Sequence, residues 1–128
     1  MDAASSVRPP AGREGPRHFH IERRLDADGT VRLILRGELD LDSQEELREA
    51  LEAEQRSGSG VVVVLDQLDY LDSAGIGELV DSCDRARADG RRFAVTSGSG
   101  NVRRVLWIAG VLSRLCDAGT DPSARHHA

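Results

Sequence analysis

Apolar and polar residues alternate in two stretches near the start of the chain. Phe19 and Ile21 alternate with His20 and Glu22, and Val31, Leu33 and Leu35 alternate with Arg32 and Arg36. A period of two sends successive side chains to opposite faces, so each stretch predicts a strand. Asp28-Gly29 between them is a turn signal, and the pair reads as a hairpin whose second strand stops at Gly37. The period then changes. Ser43 with Glu46 forms a capping box, serine at the N-cap and glutamate at N3. Leu47, Ala50, Leu51 and Glu54 keep helical spacing behind it, which predicts a helix as far as Arg56. Ser57-Gly58-Ser59-Gly60 is a loop. Val61 to Leu65 is an unbroken apolar, mostly β-branched run, the mark of a central strand covered on both faces.

A short acidic loop follows. Ile76, Leu79, Val80 and Cys83 then stand at i, i+3, i+4 and i+7, a second helix ending near Asp89-Gly90. Phe93-Ala94-Val95 predicts a further strand. Val102, Val105, Leu106 and Ala109 form the stripe of a third helix stopped at Gly110, and Val111 to Leu115 reads as a last short strand or extended segment. The order is β-β-α-β-α-β-α-β. It predicts one α/β domain over residues 18–116, a mixed sheet with its helices packed against it. Residues 1–17 and 117–128 are built of Ala, Ser, Pro, Gly, Asp and Arg with little to bury. They are expected to be disordered tails.

Composition narrows the chemistry. The 128 residues carry a net charge of −5 and only 3% aromatics, which argues against a nucleic-acid binder that needs a basic field and stacking platforms. All 17 cations are arginine, so chemistry that requires a Schiff-base or P-loop lysine is excluded. The apolar runs are too short to span a membrane, no signal core precedes the domain, and a cytoplasmic location is expected. Cys83 and Cys116 have no partner at metal-ligand spacing and read as small buried hydrophobes. His18, His20, His126 and His127 lie near the two ends. No metal and no cofactor are expected.

The informative segment is Asp66-Gln67-Leu68-Asp69-Tyr70-Leu71-Asp72-Ser73-Ala74-Gly75-Ile76-Gly77. Ser73 falls at the predicted N-cap of the second helix. Three roles are open to it: a cap for the first-turn N–H groups, a phosphoacceptor, or a nucleophile. The last lacks a base and a G-x-S-x-G elbow. A phosphate is tolerated at a helix N-terminus, and Ala74, Gly75 and Gly77 leave room for a kinase to approach. Asp40-Leu41-Asp42 has the look of an aspartyl-phosphate D-x-D, and Asp66, Asp69 and Asp72 of a magnesium site, but both chemistries want a lysine. Gly98-Ser99-Gly100 lacks the third glycine of a dinucleotide loop, where Arg103 stands. Trp107 lies near the stripe of the third helix as a core or edge residue, with partner anchoring the other reading.

Gly37-Glu38-Leu39-Asp40, a capped helix, the Val61–Leu65 strand and Leu71-Asp72-Ser73-Ala74-Gly75-Ile76-Gly77, in that order, resemble the STAS domain of anti-sigma factor antagonists. Val102-Arg103-Arg104-Val105-Leu106 with Gly110-Val111 resembles the family's third helix and closing segment. The resemblance implies a STAS-like fold and a protein that is not an enzyme. It implies binding to an anti-sigma factor, a GHKL-type serine kinase, and so release of a sigma factor. Phosphorylation falls at the family's serine, here Ser73, and ends that binding. Asp40 matches the family's aspartate near the phosphosite, and Asp72, Ala74, Gly75, Ile76 and Gly77 complete the partner-binding set. A phosphate there would join Asp40, Asp69, Asp72 and Glu78. The family also contains accessory subunits of lipid-transport ATPases and scaffold parts of stress complexes. A small phosphatase or phosphotransfer protein using Asp40 or Asp66 is a third reading. Monomer or homodimer is left open.

Overall fold

The computed structural model describes residues 18–98, 100–112, 114 and 115; the two predicted tails, Ser99, Cys116, His126 and His127 lie outside that set. Strands β1 (His20–Leu25) and β2 (Val31–Leu39) form the expected antiparallel hairpin. Asp28 closes its turn by accepting the Thr30 N–H at 2.9 Å. Helix α1 (Gln44–Ser57) leads to β3 (Val61–Val64), which pairs parallel with β2. Strand β4 (Leu68–Leu71) also pairs parallel with β2, and helix α2 (Ser73–Ala88) follows directly. Strand β5 (Phe93–Val95) pairs parallel with β3, and helix α3 (Gly100–Ile108) comes next.

The architecture is the predicted one, a single mixed sheet with three helices packed on it. Local details differ. The acidic stretch between the Val61–Leu65 run and the second helix holds a strand, β4. Gly37 does not end β2. It sits inside the strand at φ 88°, beside a register shift at Glu38, and a Cβ there would stand 2.0 Å from the His18 carbonyl oxygen. The glycine therefore makes a bulge, a common use of glycine within a strand. Val111 to Leu115 is not a strand. Leu112, Arg114 and Leu115 are helical, and the Leu115 N–H donates to the Val111 carbonyl at 2.9 Å.

One face of β2 is sealed and the other is not. Val31, Leu33, Leu35 and Leu39 are buried against Leu47 and Leu51 of α1, Leu79, Cys83 and Ala86 of α2, and Val102 and Leu106 of α3. Arg32, Ile34 and Arg36 on the opposite face are half-buried. Strand β3 is central, between β2 and β5, as its apolar run predicts. Cys83 lies in the core, where burial pushes its thiol pKa up and keeps it protonated.

Strands β2, β3, β4 and β5 share one direction, and the C-terminal ends of β2 and β4 lie side by side at one rim. Strand β2 pairs with β3 through Val31–Ile34 and with β4 through Gly37–Leu39. Strands β3 and β4 thus lie end to end along one edge of β2, with β1 on the other. The bulge lets the longer strand serve both.

Candidate functional site

Leu39 and Leu71 are register partners at the ends of β2 and β4, and the Asp72 N–H donates to the Leu39 carbonyl at 3.2 Å. The next residues, Asp40 and Asp72, open two turns side by side. One leads into α1 and the other into α2. The structure thus brings Asp40 and the Asp72–Gly77 segment to one rim, and β4 delivers the second of them.

The cap of α2 is one residue earlier than the sequence suggests. Asp72, in extended conformation, is the N-cap, and its Oδ1 accepts the N–H groups of Ala74 at 2.9 Å and Gly75 at 3.2 Å. Aspartate and serine are about equally good caps, so an Asp-Ser pair leaves the choice to the backbone. Ser73 is instead the first helical residue. It is exposed, and among the described residues nothing bonds its hydroxyl.

Asp40 is half-buried and occupied. Its Oδ1 accepts the N–H groups of Asp42 at 3.0 Å and Ser43 at 3.2 Å. The predicted capping box is absent. Ser43 holds the N-cap position of α1 without a side-chain cap bond. Its hydroxyl turns back, accepting the Asp40 N–H at 2.9 Å and standing 3.0 Å from the Glu38 carbonyl. Between Asp40 and Ser43, Leu41 is 71% exposed.

The two glycines of the segment differ. A Cβ on Gly75 would stand 2.7 Å from Leu39 Cγ and 2.8 Å from Leu71 Cδ1, so the first turn of α2 rests on the two strand ends. A Cβ on Gly77 would meet nothing within 4 Å. Glycine within a helix costs about 0.5–1 kcal/mol relative to alanine, so the fold would gain from a side chain there. Ser73, Gly77 and Asp81 form the exposed stripe of the helix, Ala74 and Ile76 are half-buried, and Gly75 is buried.

Other sequence candidates fall elsewhere. Glu78 is 3% exposed beneath the rim, paired with Arg48 of α1 at 3.4 Å and with Arg85 at 3.6 Å, so it is no part of a docking surface. Asp66 precedes β4 and accepts the Thr96 hydroxyl at 2.7 Å, and Asp69 lies within β4. The strand spreads Asp66, Asp69 and Asp72 along its length, and among the described residues no group of three or more metal-ligating side chains assembles. Trp107 is 70% exposed beside exposed Ile108, not in the core. Among the described residues no helix is long and apolar enough to cross a membrane. Leu41, which the sequence does not mark, is an apolar feature of the rim.

The model of the family described as Mlab, STAS domain matches residues 23–115. The fold is similar to that of an anti-sigma factor antagonist from Mycobacterium paratuberculosis, with a TM-score of 0.70 at 22% identity over 80% of this chain and 86% of that one. It is also similar to the Bacillus cell fate determinant SpoIIAA in its phosphorylated form, with a TM-score of 0.61 at 22% identity over 84% and 98% of the two chains. For the anti-sigma factor antagonist SpoIIAA in its unphosphorylated form the TM-score is 0.58 at 22% identity, over 70% and 83%.

Proposed function

The chain belongs to the STAS domain family, and from that premise we propose that it is an anti-sigma factor antagonist switched by phosphorylation of Ser73. The unphosphorylated rim, with Asp40, Ser73 and the first turn of α2, binds an anti-sigma factor that is a GHKL-type serine kinase. The sigma factor held by that partner is released. The kinase and its ATP belong to the partner, and this chain supplies no catalysis.

One observation carries the reading: the Ser73 hydroxyl is exposed and, among the described residues, unbonded, because Asp72 already caps the helix. A serine used as a cap would have to surrender its bond on modification. Ser73 surrenders nothing. A phosphate on it gains from the positive end of the helix and adds about −1.5 to −2 charges beside Asp40 and Asp72. Like charges brought together in an interface cost several kcal/mol, and about 1.4 kcal/mol is tenfold in affinity. The modified protein therefore keeps its fold and loses its partner.

Pull-down from native cytosol with and without ATP, followed by mass spectrometry of bait and prey, tests this. The expected prey is a GHKL-type kinase, with a single phosphate on Ser73 that Ser73→Ala abolishes. Undiminished labelling of the alanine variant rejects the phosphosite. Recovery of a transport ATPase subunit in place of the kinase supports the accessory role instead. Ser73→Asp should weaken kinase binding in calorimetric titration while moving helix stability by only tenths of a kcal/mol, since aspartate suits the first turn.

A further inference from the structure

We infer that Gly77 is kept bare for the partner, so that the Ser73 face of α2 stays open to an enzyme that closes on it; this rests on the phosphosite reading above. Each glycine near the rim can be asked what requires it. Gly75 answers at once, since Leu39 and Leu71 leave no room for a Cβ. Gly77 has no such answer. It lies inside the helix, four residues after Ser73, exposed, with open space where a side chain would go. The fold neither needs the glycine nor gains from it.

Helix geometry says what a side chain would do there. Residues four apart sit one above the other, and helical side chains lean toward the N-terminus over the preceding turn. A side chain at position 77 therefore covers the surface beside the Ser73 hydroxyl. Toward the other end of the stripe the next exposed residue is Asp81, so Gly77 is the open ground between hydroxyl and carboxylate. Phosphoryl transfer forms the bond from Ser73 Oγ to the γ-phosphorus in line with the breaking bond to the ADP oxygen, the hydroxyl proton passing to a base of the kinase, and the kinase must reach Ser73 along this face. Gly77 is thus a positioning residue. It makes no bond, and it sets how closely the backbone of α2 and the partner can meet.

The test uses the full chain, cytosolic extract from the cells that encode it and γ-labelled ATP, with phosphate located by mass spectrometry. Three variants are compared with wild type: Gly77→Ala, Gly77→Gln and Gly75→Ala. The expected result opposes stability to labelling. Gly77→Ala melts about 3–5 °C higher than wild type and Gly77→Gln no lower. Labelling of Ser73 slows several-fold in the alanine variant, and about 100-fold in the glutamine variant, the scale of a misplaced reacting group. Gly75→Ala melts lower, which calibrates the packing effect. Labelling of both Gly77 variants at the wild-type rate overturns the inference and leaves the Ser73 reading intact. A melting temperature below wild type for Gly77→Ala also overturns it, because the fold would then require the glycine. Absence of phosphate on Ser73 in the wild-type chain defeats the phosphosite reading itself, and this inference with it.

Discussion

Asp72 and Ser73 divide between them two tasks that the sequence assigns to one residue. The aspartate caps the helix, and among the described residues nothing bonds the exposed serine. The division makes a measurable contrast. Asp72→Ala removes the acceptor of two N–H groups and should cost about 1 kcal/mol, the usual loss for a cap. Ser73→Ala should cost less than about 0.5 kcal/mol, as for exposed positions without structural bonds. Urea titration of both variants checks the order, and the reverse order would return Ser73 to a capping role. Asp40 is a different case. Its Oδ1 holds two N–H groups of the turn into α1, and an asparagine keeps that acceptor. Asp40→Asn should therefore change stability by less than about 1 kcal/mol while slowing Ser73 phosphorylation or weakening kinase docking several-fold through the lost charge. Unaltered rate and affinity would limit Asp40 to the turn.

At the level of elements, the periodic segments and the apolar runs of β3 and β5 are legible in the sequence, while β4 and the final segment are not. Helices α1 and α2 carry apolar stripes over several turns, and β2 alternates over most of its length, so their type follows from period alone. Strand β4 has four residues, two of them the exposed Asp69 and Tyr70, and reads as an acidic loop. The final segment carries Val111, Leu112 and Leu115, a spacing that a turn of helix and an extended run both accommodate. The site suffered from the same blindness. Ser73 and Asp40 could be picked out by motif, but their adjacency depends on β4 and on the bulge in β2. Gly37 looked like an ending because a glycine in a strand marks either a stop or a kink. Its positive φ and the His18 carbonyl decide for the kink. Gly37→Ala should cost more than about 2 kcal/mol, from left-handed strain and overpacking together. A denaturation midpoint near wild type would show that the hairpin can shift to accept the methyl.

Charge at the scale of the whole molecule is arranged so that pairs hold the surface and a few buried ions hold the helices. Glu22 bridges Arg36 and Arg24 across the open face of the hairpin, at 2.7 Å each. Its pKa is lowered, first by the hydrogen bond from Arg36 and then by that from Arg24. The Asp28 pKa is lowered by its bonds to Thr30. A depressed carboxylate contributes stability that is complete above its ordinary value and is lost as pH falls through the folded-state value. Melting temperature should therefore hold between about pH 7 and 5 and decline below the ordinary carboxylate range. Arg36→Gln should flatten part of that decline, and an identical pH profile in this variant would show that the bridge is too solvated to count.

The parallel strands that gather Asp40 and Ser73 at one rim must send every returning turn to the other. There the Val31 N–H meets the Gly60 carbonyl and the Val61 N–H meets the Arg92 carbonyl, so the hairpin turn at Gly29 and the helix exits at Gly58 and Gly90 lie together. Around Gly29, Gly58 and Gly90 the space for a Cβ is empty. The molecule has one end that carries Ser73 and an opposite end made of turns. An epitope tag, a fluorophore or a surface tether spliced at Gly29 or Gly58 is held a full strand length from Ser73, and leaves both the hydroxyl and whatever closes over it undisturbed.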